Sequence, residues 1–374
     1  MPPAKKGQPA APPADAEPLA PPPAPTPPAR GEFDFISHIR RQTTSKARGL
    51  VRGIGDDAAV IENSSASHLL VTTDLLVEDV DFRRANFGPA DIGHKAVAAS
   101  LSDIAAMGAR PRWALLSIGV PREIWERPRY VATLYRGAER LASLHGATVI
   151  GGDVSRTPER IVIDSIVIGE AAPGRAVLRS GARPGDQIFV TGTLGGAAAG
   201  LRVFEHAATL PTAAARTFVR SFPELTLRQR TPAPRVEWGA LLGERALATA
   251  MIDLSDGLSS DLAHLCRESG AGALVEAAGL PVNSHVGRAP ASRHAFARAL
   301  KADAHALALH GGEDYELLFT VRPSDLVRLP KKLGGVPVTR IGEITDARRG
   351  VRLLRDGREE ILTPSGFEHF RPAG

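Results

Sequence analysis

At Gly53-Ile54-Gly55-Asp56-Asp57-Ala58-Ala59-Val60-Ile61, two carboxylates stand side by side where a glycine-rich turn runs into an apolar strand. Adjacent aspartates repel each other. A fold that keeps such a pair at a strand entrance either leaves it as a solvated turn or sets a hard cation such as Mg²⁺ beside it. The setting recurs along the chain. Asp74 follows the strand-like run 68–73, Asp103 falls near a helix end, Asp153 follows Gly151-Gly152, and Asp253 and Asp256 lie in Ile252-Asp253-Leu254-Ser255-Asp256-Gly257. If these carboxylates converge, they need several divalent cations, and Mg²⁺ with its oxygen ligands and its affinity for phosphates makes phosphoryl transfer the natural chemistry.

Composition narrows the partners. The 374 residues, 43% of them hydrophobic, leave room for two domains of roughly 150 residues each. No run reaches the roughly 18 apolar residues of a membrane span, and the basic-then-apolar order of a secretory signal is missing, so the expectation is a cytoplasmic protein with no membrane partner. The single cysteine, Cys266, allows neither an intrachain disulfide nor a thiolate cluster, so metals fall to oxygen or imidazole ligands. A net charge of +5 tolerates anionic phosphates, but the arginines are scattered without an aromatic-interleaved basic motif, which argues against nucleic acid. Residues 1–30 hold 12 of the 30 prolines and read as a disordered Pro/Ala-rich tail.

Folded sequence is expected from Gly31, with Phe33, Phe35, Ile36 and Ile39 on a short helix. Strands are predicted over 58–61 and 68–73, the second ending on Asp74, there a turn-maker or a ligand. A helix over 89–107 takes Asp91 as N-cap and stops at Gly108. Asp103 sits in its last turn, the wrong end for a carboxylate, and points away from the apolar Leu101, so it faces either a site or solvent. Strands follow over 113–120, 148–150 and 161–168, with an amphipathic helix through Val131, Leu134, Ala138 and Leu141 between the first two. The second half opens with a strand over 187–190 and Gly192, Gly195 and Gly196. This junction lacks the Gly-Lys-Ser/Thr of a P-loop and reads equally as packing glycine or phosphate cradle. Ser255 or Asp256 caps a helix whose apolar face carries Leu258, Leu262, Leu265 and Cys266. Gly311-Gly312-Glu313-Asp314-Tyr315-Glu316 leads into a strand over 317–321, a further strand covers 336–344, and Asp356-Gly357 is a hairpin turn. His264 and His310 read as structural.

The ordered motifs Gly-Ile-Gly-Asp-Asp, Thr-Thr-Asp-Leu-Leu-Val-Glu, Leu-Ser-Asp-Ile-Ala-Ala-Met-Gly-Ala, Gly-Gly-Asp, Ser-Gly-Ala-Arg-Pro-Gly-Asp, Ile-Asp-Leu-Ser-Asp-Gly and Gly-Gly-Glu-Asp-Tyr-Glu-Leu resemble the thiamine-monophosphate kinase family over roughly residues 31–370. The resemblance implies a two-domain α/β (α+β) fold of the aminoimidazole-ribonucleotide synthetase-like kind. Residues 31–175 would form an N-terminal ATP- and Mg-binding sheet domain that builds a homodimer, and residues 176–374 a C-terminal α/β domain. It implies transfer of the ATP γ-phosphate to thiamine monophosphate, giving thiamine diphosphate, the last step of its biosynthesis.

Carried over by position, Asp57, Asp74, Asp103 and Asp153 are the implied catalytic acids. Asp57, Thr72, Thr73, Asp74, Asp103, Asp153, Asp253 and Asp256 are the implied Mg²⁺ ligands, with Asp56 shaping the turn. Gly152, Arg179 and Ser255 are implied nucleotide contacts. Glu313 is implied as an acid for the cationic part of thiamine and Phe367 as an aromatic surface beside its rings. The chain departs from the family at Asp81-Phe82, where His-Phe is frequent, which leaves that substrate contact to Asp81. Two other readings remain: a sister ATP-dependent enzyme, although Cys266 is far from where a selenophosphate synthetase would carry its reactive residue, and a catalytically impaired nucleotide-binding partner protein acting through the tail.

Overall fold

The computed structural model describes residues 36–37, 39–40, 48–288 and 294–370. The expected disordered tail over 1–30 and the helix positions Phe33 and Phe35 lie outside them.

The first layer is a six-stranded sheet in the order β1-β2-β3-β6-β4-β5. Its strands are β1 (Leu50–Arg52), β2 (Ala59–Glu62), β3 (His68–Val77), β4 (Arg110–Val120), β5 (Thr148–Arg156) and β6 (Val162–Ala171). All neighbours run antiparallel except β4 and β5, which are parallel. A parallel pair needs a crossover, and helix α2 (Tyr130–Leu144) supplies it. Along β3, Leu70, Thr72 and Leu76 are buried and alternate with more exposed neighbours, so one face of the sheet meets the helices. Helix α1 (Pro89–Ala106) packs on that face and against α2. The two helices meet backbone to backbone. A Cβ on Gly93 would lie 1.9 Å from the Leu134 carbonyl oxygen, and one on Gly137 2.0 Å from that of Ala90, so only glycine permits the approach.

The second sheet runs β14-β13-β9-β12-β7-β10-β8, with the short β11 (Lys332–Leu333) on β12. These strands are β7 (Gln187–Thr191), β8 (Ala248–Asp253), β9 (Ala271–Glu276), β10 (Leu317–Val321), β12 (Val336–Asp346), β13 (Val351–Arg355) and β14 (Arg358–Ile361). Asp356 and Gly357 both take positive φ and join β13 to β14 as the expected two-residue turn. Helix α6 (Leu258–Ser269) packs on β8, β9, β10 and β13, helix α3 (Gly196–Ala208) packs on α4 (Pro223–Arg230) and α7 (Ala304–His310), and α5 (Val236–Glu244) packs on α1. Cys266 is buried in this sheet's core.

The two layers share one hydrophobic core. Leu101 and Ile104 of α1 cluster with Met251 of β8, Phe189 of β7 and Phe319 of β10. Each such fully buried aliphatic side chain stabilises the fold by about 2 kcal/mol. Helix α1 therefore lies between the sheets, and its polar residues reach both.

Four expectations change on contact with the structure. Asp74 does not end its strand, because β3 continues to Val77 through pairing with β6. Gly151, Gly152 and Asp153 likewise lie inside β5, held in register by β4. Gly88, not Asp91, occupies the N-cap of α1, while Asp91 accepts the Gly88 N–H at 3.1 Å from three positions on. The start of α6 is capped from within: Asp261 accepts the backbone N–H groups of Gly257 (2.9 Å) and Asp256 (3.2 Å), which releases Ser255 and Asp256 from that task.

Candidate active site

A cavity of about 1160 Å³ opens between the two layers. Helix α1 contributes Lys95 and Ala99 to its wall. Lys95, Ala99, Ser102 and Asp103 recur at i, i+4, i+7 and i+8 and so share one stripe of the helix. At the far end of that stripe, carboxylate oxygens of Asp57, Asp103 and Asp253 lie within 4.8 Å of one another. They come from the turn before β2, the last turn of α1 and the end of β8.

Hydroxyls fix each acid. Thr72 donates to Asp103, Ser100 to Asp74 at 2.7 Å, and Ser102 to Asp253 at 2.7 Å across the two layers. Arg179 donates through Nε to Asp57 Oδ1 at 3.1 Å and through its backbone N–H to Asp56 Oδ1 at 2.7 Å. The other oxygen of Asp56 takes the Arg52 guanidinium, so Asp56 braces the turn.

Burial and mutual repulsion disfavour the charged forms. Burial, then the charges of Asp74 and Asp253, pushes Asp103 well above the usual carboxylate range. Asp253 is pushed up to about 8, chiefly by burial and by the Asp57 charge, against the Ser102 hydrogen bond. Asp74 rises to about 6 through burial, opposed by Ser100 and reinforced by Asp164. Asp57 Oδ2 is buried with no hydrogen-bond partner among the described residues. An unsatisfied oxygen amid repelling acids, in an all-oxygen donor set, is the environment a hard divalent cation relieves, so these residues fit Mg²⁺.

Other expected site residues sort by position. Asp74, Arg179, Ser255, Asp256, Asp81, Glu313 and Phe367 all line the cavity. Asp81 also accepts the Val77 N–H at 2.7 Å, closing its own turn. Thr73 points to the opposite sheet face from Thr72 and donates to Asp164. Gly152 and Asp153 are not brought to this cavity by a single chain: both are exposed on β5, the outermost strand of the sheet.

The glycine junction before α3 is not a phosphate cradle. Asp314 occupies it by accepting the N–H groups of Gly195 (2.5 Å) and Ala197 (3.1 Å). Glu316 is buried and paired with Arg228 (3.2 Å) and Arg235 (2.5 Å). Of the acids in Gly-Gly-Glu-Asp-Tyr-Glu, only Glu313 lines the cavity. His310 bonds Ser259 at 2.8 Å and His264 bonds Arg267 at 2.6 Å, which gives each a structural contact.

Sequence reasoning missed Lys95, Ser100, Ser102, Gln229 and Asp261. The signal for the serines was present as two hydroxyls inside the otherwise apolar run Ala98-Ala99-Ser100-Leu101-Ser102.

Family models match both layers: "AIR synthase related protein, N-terminal domain" over residues 55–171 and "AIR synthase related protein, C-terminal domain" over 183–354. The thiamine-monophosphate kinase of Escherichia coli (strain K12) is 37% identical over 346 residues, covering 91% of this chain and 99% of that one. The solved structure of AaThiL complexed with AMPPCP and TMP is similar with a TM-score of 0.74 at 32% identity, over 91% of this chain and 97% of that one. That of thiamine-monophosphate kinase from Stenotrophomonas maltophilia K279a gives 0.66 at 36% identity, over 87% and 96%.

Proposed function

The chain belongs to the thiamine-monophosphate kinase family, and from that premise we propose that the cavity between its two layers is where ATP phosphorylates thiamine monophosphate. The reaction is an ATP-dependent phosphoryl transfer that yields thiamine diphosphate and ADP. The observation that carries this site assignment is the Asp57, Asp103 and Asp253 cluster, whose Asp57 lines the cavity and, among the described residues, keeps one oxygen without a hydrogen-bond partner.

Asp57, Asp103 and Asp253 would hold Mg²⁺, with Asp74 and the Thr72 hydroxyl beside Asp103, and Asp256 in the cavity wall, as further oxygen ligands. Bound there, Mg²⁺ supplies the positive charge that neutralises the polyphosphate. The chain's own residues do the rest by placement. Ser102 and Thr72 keep the acids aimed, and Arg179 offers a guanidinium beside them. The acceptor is a phosphate oxygen already ionised at neutral pH, so no general base is required.

A homodimer completes the reading. Ile150 and Val154 on β5 and Leu75 on β3 are large apolar side chains at least half exposed, at 57%, 50% and 61%. A second copy packed along the outermost strand and over the Leu75 face would bury them and give Gly152 and Asp153 a binding role that the single chain does not. We place the domain boundary at 175/176, in the link from β6 to β7. No helix among the described residues is long and apolar enough to cross a membrane, which is compatible with a cytoplasmic location.

The test is incubation of purified protein with ATP, Mg²⁺ and thiamine monophosphate, with thiamine diphosphate as the expected product. Absence of product across a series of metals and pH values overturns the reading. Sedimentation should give a dimer, and a monomer that is fully active removes the role assigned to Asp153.

A further inference from the structure

Lys95 is a buried cation, its side chain only 1% exposed, in the wall of the cavity. Lysines are almost never buried to this degree unless paired. Its ammonium contacts Glu313 Oε1 at 2.6 Å and the Asp81 carbonyl oxygen at 2.9 Å, and lies 5.3 Å from the centre of the Phe87 ring. Those three contacts occupy the three N–H donors.

The other Glu313 oxygen, Oε2, accepts from Gln229 Nε2. A carboxylate facing an ammonium is ionised and can only accept, so the amide nitrogen must face it and the amide oxygen must face elsewhere. Gln229 is 3% exposed, lines the same cavity, and its Oε1 has no hydrogen-bond partner among the described residues. The carboxylate itself is set rigidly. Glu313 holds a left-handed backbone, φ 65°, and its N–H donates to the Ser255 carbonyl at 2.8 Å, the loop that carries Asp256.

The unit thus holds two acceptors, Glu313 and the buried Gln229 Oε1, with Lys95 offsetting the Glu313 charge and Asp81 beside them. That does not suit the thiazolium of thiamine, whose quaternary nitrogen has no N–H to donate. It suits a neutral group with two N–H donors. Resting on the reading that thiamine monophosphate is the substrate, we propose that Lys95, Glu313 and Gln229 together recognise the amino group of the substrate's pyrimidine ring, Lys95 acting as the positioning residue that holds Glu313. Glu313 is on this account a hydrogen-bond acceptor and not the counter-ion of the cationic ring.

The test compares thiamine monophosphate with oxythiamine monophosphate, in which an oxo group replaces the amino group. Steady-state kinetics are run on the wild type, Lys95→Met and Gln229→Met. The wild type should prefer the amino substrate by about 100-fold or more in kcat/KM, since a site built to accept N–H bonds strands its acceptors on the oxo compound. Each variant should raise KM for thiamine monophosphate by about 10-fold and shrink that preference, the loss of one charged hydrogen bond, while KM for ATP stays within about twofold. A purely structural role for Lys95 would move both KM values together and leave the preference intact. That result overturns the proposal, as does a wild type that uses both compounds equally. If Lys95→Met does not fold, the preference measured for Gln229→Met decides. A wild type inert towards thiamine monophosphate is a separate outcome, visible before any variant is made, and it overturns the functional reading on which the proposal rests.

Discussion

Removing divalent cations should reverse the way thermal stability depends on pH. Asp253 has its folded pKa raised from the ordinary 3.8 to about 8, mainly by burial and the Asp57 charge. A carboxyl whose folded pKa is raised binds its proton more tightly in the folded state, so it costs stability as pH climbs from the unfolded value towards the folded one. From about pH 6 to about pH 8 the folded chain must give up a proton that the unfolded chain has already lost, which costs about 2 kcal/mol for this group alone. At an unfolding entropy of about 2.1 cal/mol/K per residue, the metal-free protein should lose about 3 °C in Tm over that interval. Mg²⁺ needs the ionised acids, so its stabilisation grows with pH, and a 100-fold excess over its Kd adds about 2.7 kcal/mol. Scanning calorimetry in EDTA and in Mg²⁺ at three pH values reads both slopes. Asp253→Asn is the internal control, because it removes the charge while leaving every other titrating group. The variant's EDTA slope should be flatter by the calculated amount, and its response to Mg²⁺ smaller. Parallel slopes for wild type and variant, or a Tm indifferent to Mg²⁺ near pH 8, would refute the reasoning.

Asp103→Asn should abolish product formation while the melting temperature holds or rises, since it removes a buried, repelling charge; full activity would show that the metals are held elsewhere. Ser102→Ala should weaken Mg²⁺ activation several-fold by freeing Asp253 to turn, at a stability cost of about 1 kcal/mol, and a Mg²⁺ titration reads it. Gly366→Ala puts a Cβ 2.0 Å from the Asp256 carbonyl oxygen and should push the C-terminal segment, with Phe367, off the cavity. KM for thiamine monophosphate should then rise with overall folding intact, whereas an unchanged KM would remove Phe367 from the substrate site.

Much of the fold was readable because its elements are strongly patterned. The Leu-rich and Val-rich strands and the stripe of Val97, Leu101 and Ile104 set periods that tertiary packing did not override. The errors have one physical source. Glycine and aspartate read locally as the end of a strand, yet Asp74 and Gly151-Gly152-Asp153 are held in extended backbone by pairing with distant strands, β6 and β4. Similarly, capping of α6 by Asp261 and occupation of the glycine junction by Asp314 depend on contacts no local pattern contains. The acids themselves were legible, since clustered aspartates beside glycine are costly without a purpose. Their supports were not. Lys95 in a helix reads as a solvated surface charge until the fold sets Glu313 against it, and Gln229 carries no periodic signal at all.

Lys95 and Asp103 are eight residues apart on α1, and a helix rises about 1.5 Å per residue, so about 12 Å separates them along its axis. On the roles proposed above, the helix is a ruler with an amino-group mark at one end and a phosphate mark at the other. A molecule whose two ends are set closer or further apart satisfies one mark only, however good that contact is. Inserting a single residue between the marks would also turn one of them about 100° off the cavity. Substrate length is thereby selected by backbone geometry, which side-chain substitutions at either end leave untouched.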